Sequence, residues 1–327
     1  MSIHTLYHPS VFQGRHKKQT YFEGWYFKMA TETEVLALIP GISLGAGKQD
    51  RHSFIQVISS REQKSWYVRY PFEAFTSDTR TFNLELAGNR FSSSQIIVDL
   101  QFEDLDLHGS VNQMQLHPYP VTLRSPGIMG WYAYVPFMEC FHGVVSMHHR
   151  LEGSLDFNGR TMDLHAGIGY MEKDWGTSFP EAWIWLQSNC FPSKEVSCML
   201  SFARIPFLSH QFNGFLGFLL LDGQLIRFGT YTGAKMLLCE TDGNEARIII
   251  KDKKYLLEFH AVLGPSSHLV APREGAMERT LLESIEGTIE VTVRNERNEL
   301  VFQETGTKAG IEISEARTLN VKQNKQG

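Results

Sequence analysis

From Gln19 to Met29 the chain reads QTYFEGWYFKM, in which Tyr21, Glu23, Trp25, Phe27 and Met29 alternate with Phe22, Gly24, Tyr26 and Lys28. A period of two belongs to a strand. One face of this strand is aromatic and apolar, interrupted by Glu23, and a carboxylate there is either ion-paired or solvated at a strand end. Between Glu34 and Leu107 follow short runs, VLALIPGI, HSFIQVISS, KSWYVRYPF, FNLELAG and NRFSSSQIIVDLQF, punctuated by Pro40-Gly41, Gly45-Ala46-Gly47 and Gly88-Asn89. Close spacing with turn residues predicts an up-and-down sheet or barrel. The segment LGAGKQDR lacks the Gly-Lys-Ser/Thr ending of a phosphate loop and precedes no helical run, so it reads as a hairpin loop. His117 to Pro136 has no clear period and predicts an irregular crossing, or a lid with a helical turn near Trp131 to Met138.

Asn158-Gly159, flanked by SLDF and RTMDL, is a hairpin dipeptide that pairs Phe157 with Arg160. Carried outward, that register sets Leu155 against Met162, His149 against Ile168, Val145 against Glu172 and Gly143 against Asp174. Glu172, Asp174 and His149 then share the apolar, inward face, and Lys173 points away. A bulge at Gly167 or Gly169 inverts that parity for the acids.

After Pro180 a second set of strands begins, AWIWLQSN, VSCMLSFARI, FNGFLGFLLL, QLIRFGTY, ARIIIKD and KYLLEFHAVL, and the stretch from Leu281 to Ile313 predicts three more. VKQNKQG is expected to be a disordered tail. The chain therefore reads as all-β, with one domain over 1–177 and another over 178–327.

Charge narrows the partners. With 31 basic and 36 acidic residues the net charge is -5, which leaves no electrostatic footprint for nucleic acid. Cys140, Cys190, Cys198 and Cys239 form no CxxC pair and read as reduced thiols of a cytoplasmic protein. No segment resembles a signal peptide, and the longest apolar run, Phe215 to Leu221, is too short to span a bilayer. The pattern does not give an oligomeric state. His142, His148 and His149 lack the spacing of a zinc site, so no metal is expected.

Candidate chemistry concentrates in Gly169 to Phe191, GYMEKDWGTSFPEAWIWLQSNCF, where three tryptophans stand among carboxylates, a lysine and amides. Four blocks, EGWYFK, GWYAYVPFMEC, YMEKDWG and FPEAWIWLQSN, with APREG and a terminal AGIEI, resemble signatures of the tocopherol cyclase family. Asp174 and Ser188 stand where the plant cyclases carry asparagine and cysteine, and a bacterial-type member is expected. The resemblance implies two lipocalin-like antiparallel β-barrels side by side, related to carotenoid hydratase and AttH. It also implies cyclisation of a prenylated hydroquinone to a chromanol, without redox change and without a cofactor.

That chemistry needs a protonated carboxyl, an aromatic wall for the cation and a dry site. Glu172, Asp174 and Glu23 are the candidate acids. Tyr170, Trp175, Trp183, Trp185, Gln187, Asn189, Trp25 and His149 are the candidate substrate contacts, of which Trp183, Trp185, Gln187 and Asn189 share one strand face. The expected partner is an apolar, isoprenoid-like small molecule, with transient membrane contact to collect it. The alternatives are a non-catalytic lipocalin-like binder and an alkene hydratase.

Overall fold

The alternating stretch that opens the chain forms the strand Tyr21–Ala30, with Tyr21, Trp25, Phe27 and Met29 in an apolar core. The structure is a computed structural model and describes residues 3–47, 50–135, 138–207 and 210–321. Two large antiparallel sheets carry the chain, as its alternation and turn spacing predict.

In spatial order the first sheet runs Lys64–Pro71, Arg51–Ser59, Val35–Leu44, Tyr21–Ala30, Ile168–Gly176, Cys140–Phe157, Leu105–Met114, Gln95–Phe102, Asn89–Ser92, Asn83–Leu86 and Phe75–Ser77. Arg160–Asp163 pairs on Cys140–Phe157. The sheet bends onto itself: Trp25 stacks on Phe75 at 6.2 Å and Phe27 approaches Phe91 at 5.6 Å, although those strands lie far apart in the order. Their rings fill one core with Leu38, Ile55, Leu107 and Met171.

The second sheet runs Gln224–Gly229, His210–Leu221, Ser197–Phe207, Trp183–Ser188, Leu300–Ser314, Ala276–Asn295, Tyr255–Val262, Glu245–Lys251 and Lys235–Thr241. Phe228 and Phe259, from strands near opposite ends of this order, meet at 5.7 Å in its core.

The segment predicted to hold three final strands forms two long ones, Ala276–Asn295 and Leu300–Ser314. Gly287 does not end a strand but is absorbed as a bulge, with register shifts on both sides of it. The loop after Leu44 joins two paired strands, as expected of a hairpin, and its residues 48–49 lie outside the described residues. In the irregular crossing, Gly130–Tyr134 forms a 3-10 helix, and residues 136–137 lie outside the described residues. Of the expected tail, Val321 bridges Cys239 and the remainder is outside them as well.

Two compact units divide the chain, Met1–Phe179 with Leu269–Thr280, and Pro180–His268 with Leu281–Gly327. The returning segment is fastened to the first unit by polar contacts. The Gln56 amide donates to Val270 O and accepts from Val270 N, and Ser43 Oγ donates to Gly275 O. Gly275 has φ +82, and a Cβ there would lie 2.3 Å from Tyr21 N, so only glycine fits. Among the described residues no helix is long and apolar enough to cross a membrane.

Candidate functional site

Strand register decides which side chains can act together. The Asn158-Gly159 turn does pair Phe157 with Arg160 and Leu155 with Met162. Beyond it the expected pairing slips. Leu164 to Gly167 closes as a turn with Ala166 at φ +65, and two register shifts follow between Val144 and His149. Glu172 therefore pairs with Val144 and Asp174 with His142. The expectation that Glu172 and Asp174 face the apolar core while Lys173 points away is corrected: Met171 and Trp175 join the core, Lys173 lies on their side, and the two acids face outward.

On the inner face, Lys173 and Glu23 form an ion pair at 2.5 Å, both side chains 0% exposed. Lys173 Nζ also donates to Pro9 O and Val11 O, at 2.8 and 2.7 Å. It lies 4.9 Å from the Trp25 ring and 4.6 Å from the Trp175 ring. Burial pulls the Lys173 ammonium down to about 8, with Glu23 acting against the fall. Glu23 accepts hydrogen bonds from the Gln13 and Gly14 amides and from the Tyr21 hydroxyl. Burial and the Glu23 charge hold the Tyr21 phenol well above its ordinary value. Trp25 Nε1 donates to Ser10 O. The pair thus rivets Pro9 to Gly14 onto the sheet, and both Glu23 oxygens are engaged in doing so.

On the outer face of the same strands, His142 stands between two carboxylates. Its Nδ1 is 2.8 Å from Asp174 Oδ1, and its Nε2 is 3.3 Å from Glu172 Oε2, within ion-pair range but without hydrogen-bond alignment. The Tyr170 hydroxyl donates to the same Glu172 Oε2 at 2.6 Å. The Glu172 side chain is 5% exposed, His142 11% and Asp174 25%. Burial opposes a charged ring at His142, but Asp174 and then Glu172 outweigh it, so the imidazole is held well above its ordinary value and carries a proton. Burial, then the Glu172 charge, raise the Tyr170 phenol well above its own. Tyr26 pairs with Glu172 and Lys28 with Tyr170, which extends this face over a third strand.

The donor atoms of His142, Glu172 and Asp174 all lie within 4.8 Å of one another, close enough to hold one cation. In this arrangement the imidazolium itself supplies the positive charge. Chemically the set can hand on protons: the ring is protonated at both nitrogens and can release one toward either carboxylate.

The other expected site residues lie in these surroundings. His149 is buried on Gly169, where a Cβ would come 2.1 Å from its Nε2, and its Nδ1 faces Ser146 Oγ at 3.0 Å. Burial and neighbouring His148 lower it to about 3, so it is neutral. Trp175 stacks on Phe141 at 5.6 Å and Trp25 lies in the core, both on the inner face. Trp183, Trp185 and Gln187 belong to the second unit, on the side of their strand opposite the core residues Ile184 and Leu186. The Gln187 amide reaches Asn189 Oδ1 at 3.5 Å, and the Trp183 indole donates to Glu312 Oε2 at 2.5 Å. Glu312 in turn pairs in register with Trp185 and Glu283.

His142 was not among the residues expected at a site. His142 is legible only through the correct register, which sets it opposite Asp174.

The tocopherol cyclase-like family matches residues 114–315, more than half of the chain. The chloroplastic tocopherol cyclase of Zea mays is 36% identical over 79 residues, covering 24% of this chain and 17% of that protein. A rice (Oryza sativa subsp. japonica) protein, described as a probable chloroplastic tocopherol cyclase, is 31% identical over 71 residues, 22% of this chain and 15% of that one. The alignments thus span about a sixth of those relatives' lengths. Among solved structures, CghA with Sch210972 has TM-score 0.57 at 12% identity and covers 90% of this chain and 88% of its own. Kievitone hydratase from Nectria haematococca has TM-score 0.50 at 13% identity, covering 93% of each chain. These two likenesses establish a shared fold.

Proposed function

Because the chain belongs to the tocopherol cyclase-like family, we propose that it catalyses acid-promoted ring closure of a prenylated hydroquinone, or a similar isoprenoid ring compound, to a chromanol without redox change. The observation that carries this reading is the buried Glu172, His142, Asp174 relay with Tyr170 on Glu172. An imidazolium and two carboxylates sum to one negative charge, and one further proton makes the set neutral. In the substrate complex the transferred proton is delivered through Glu172 Oε1, the oxygen that neither Tyr170 nor His142 addresses.

Glu172 transfers this proton to the less substituted alkene carbon, leaving a tertiary cation beside the carboxylate and the Tyr170 ring. The substrate's phenolic oxygen forms the new C–O bond to that cation, and its proton passes to Asp174. His142 gives its Nε2 proton to Glu172 and regains one from water, while the partly exposed Asp174 releases the phenolic proton to water, so the cycle closes with no net change in protons. Atoms balance as an isomerisation. The imidazolium next to Glu172 offsets the negative charge left when the proton departs.

Each unit is further read as a lipocalin-like barrel, supported by the core rings that meet from distant strands. Glu23 is assigned to the inner rivet and takes no part in the chemistry. A second reading, hydration of the alkene, is favoured by one observation: the Asp174 side chain is 25% exposed, so water can reach the relay.

The test is incubation of the protein, and of E172Q and D174N, with a prenylated hydroquinone and mass analysis of the product. Chromanol from the wild type and its loss in E172Q support the cyclase. A tertiary alcohol supports hydration, and tight binding without turnover means an apolar-ligand carrier.

A further inference from the structure

Gly24 is the one position in Tyr21–Ala30 that is not buried, Ile39 the one in Val35–Leu44, and Asp174 the one in Ile168–Gly176 apart from its first residue. These three are neighbours. Gly24 pairs with Asp174, which pairs with partly exposed His142, and a Cβ built on Gly24 points at Ile39 Cγ2, 3.6 Å away, and Phe54 Cζ, 3.9 Å away. Within these three neighbouring strands the partly exposed interior positions therefore cluster at one place, directly beside the relay.

Packing does not explain the glycine. The neighbouring Gly41 is required, because a Cβ there would lie 2.5 Å from the Phe54 ring and 2.6 Å from Glu23 O. At Gly24 the same atom would make only ordinary contacts, and the backbone is not left-handed. Glycine within a strand loses stability relative to a side-chain-bearing residue and marks places where a ligand approaches the backbone closely.

We propose that Gly24 is the floor of a subsite for the substrate's aromatic ring. Ile39 and Phe54, the latter stacked on Tyr67 at 5.1 Å, wall it on one side, and Asp174 closes the other. Asp174 Oδ1 is engaged by His142, so Oδ2 accepts the ring hydroxyl, while the prenyl alkene extends along the sheet to Glu172. This inference rests on the relay being the acid for a ring compound, and it fixes which end of the substrate lies where.

The experiment measures binding of trimethylhydroquinone, which has the ring but no alkene, to the wild type, G24A, G24V and E172Q by calorimetry, with thermal unfolding of each. The wild type and E172Q should bind alike, G24A more weakly, and G24V about tenfold more weakly or worse, with unfolding temperatures of the Gly24 variants equal to or above the wild type's. Should G24V lose cooperative unfolding, G24A decides on the same terms. Wild-type binding by the Gly24 variants, or no binding by the wild type, overturns the subsite. Turnover of a prenylated substrate by E172Q instead overturns the acid assignment, and leaves the ring-binding result standing.

Discussion

Glu172 and Lys173 are consecutive, yet each belongs to a different ionic cluster on a different face of one sheet. The inner pair, Lys173 with Glu23, is fully buried and internally complete: the ammonium has three oxygen partners, and the carboxylate has the lysine, two amides and a phenol. The outer set is also largely buried, but His142 Nε2 lacks an aligned hydrogen bond and Glu172 directs only Oε2 at its neighbours. A cluster whose donors and acceptors all match holds structure; one with a poorly aligned nitrogen and a carboxylate oxygen turned away from its neighbours can move a proton. What distinguishes a rivet from a site here is satisfaction, more than charge or burial.

The largest effect that separates them is on stability. K173M strands Glu23 as an uncompensated buried carboxylate and should cost about 3–5 kcal/mol in denaturant unfolding. Replacing both partners, as in E23L/K173M, should recover a substantial part of that loss. If the single and double variants are equally unstable, the rivet account is wrong. On the outer face E172Q should lower turnover about a hundred- to ten-thousandfold while changing unfolding far less than K173M does.

The pH dependence of stability sharpens the contrast, because its sign differs between the faces. His142 is held above its unfolded value of 6.5, so its contribution is fully present below pH 6.5 and is lost as pH rises through the folded value. Lys173 is lowered from 10.5 to about 8, so between those values the unfolded chain binds more protons and stability rises with pH. H142N should abolish the first slope and leave the second, as urea titrations across pH would register. The smallest change is Y170F, which removes one donor from Glu172 Oε2 and should cost about 1 kcal/mol of stability. A drop comparable to that of K173M would show that Tyr170 is part of the rivet.

Much of the fold is legible in the sequence because alternation and turn dipeptides are local signals. The strand Tyr21–Ala30 and the pairing of Phe157 with Arg160 follow from adjacent residues. The faces of Glu172 and Asp174 do not, since their parity depends on a four-residue turn in which Ala166, not a glycine, adopts the left-handed conformation. Gly167 marks the place where the parity can invert, but no residue type there decides that it does. The partner of Glu23 is 150 positions away, and its identity emerges only when the Pro9 to Gly14 segment lies against Lys173. Gly24 is the opposite case: its signal, a glycine inside an alternating strand with no turn around it, stands in the sequence, but its meaning needs its neighbours Asp174, Ile39 and Phe54, which would leave a side chain only ordinary contacts.

The central claim is that Glu172, on the outer face, delivers a proton to carbon. Conversion of a prenylated hydroquinone in deuterium oxide tests it most directly. The account predicts a chromanol carrying one solvent deuterium on the carbon next to the new C–O bond, formed by the wild type and not by E172Q. A chromanol without that deuterium, or equal conversion by E172Q, would contradict it.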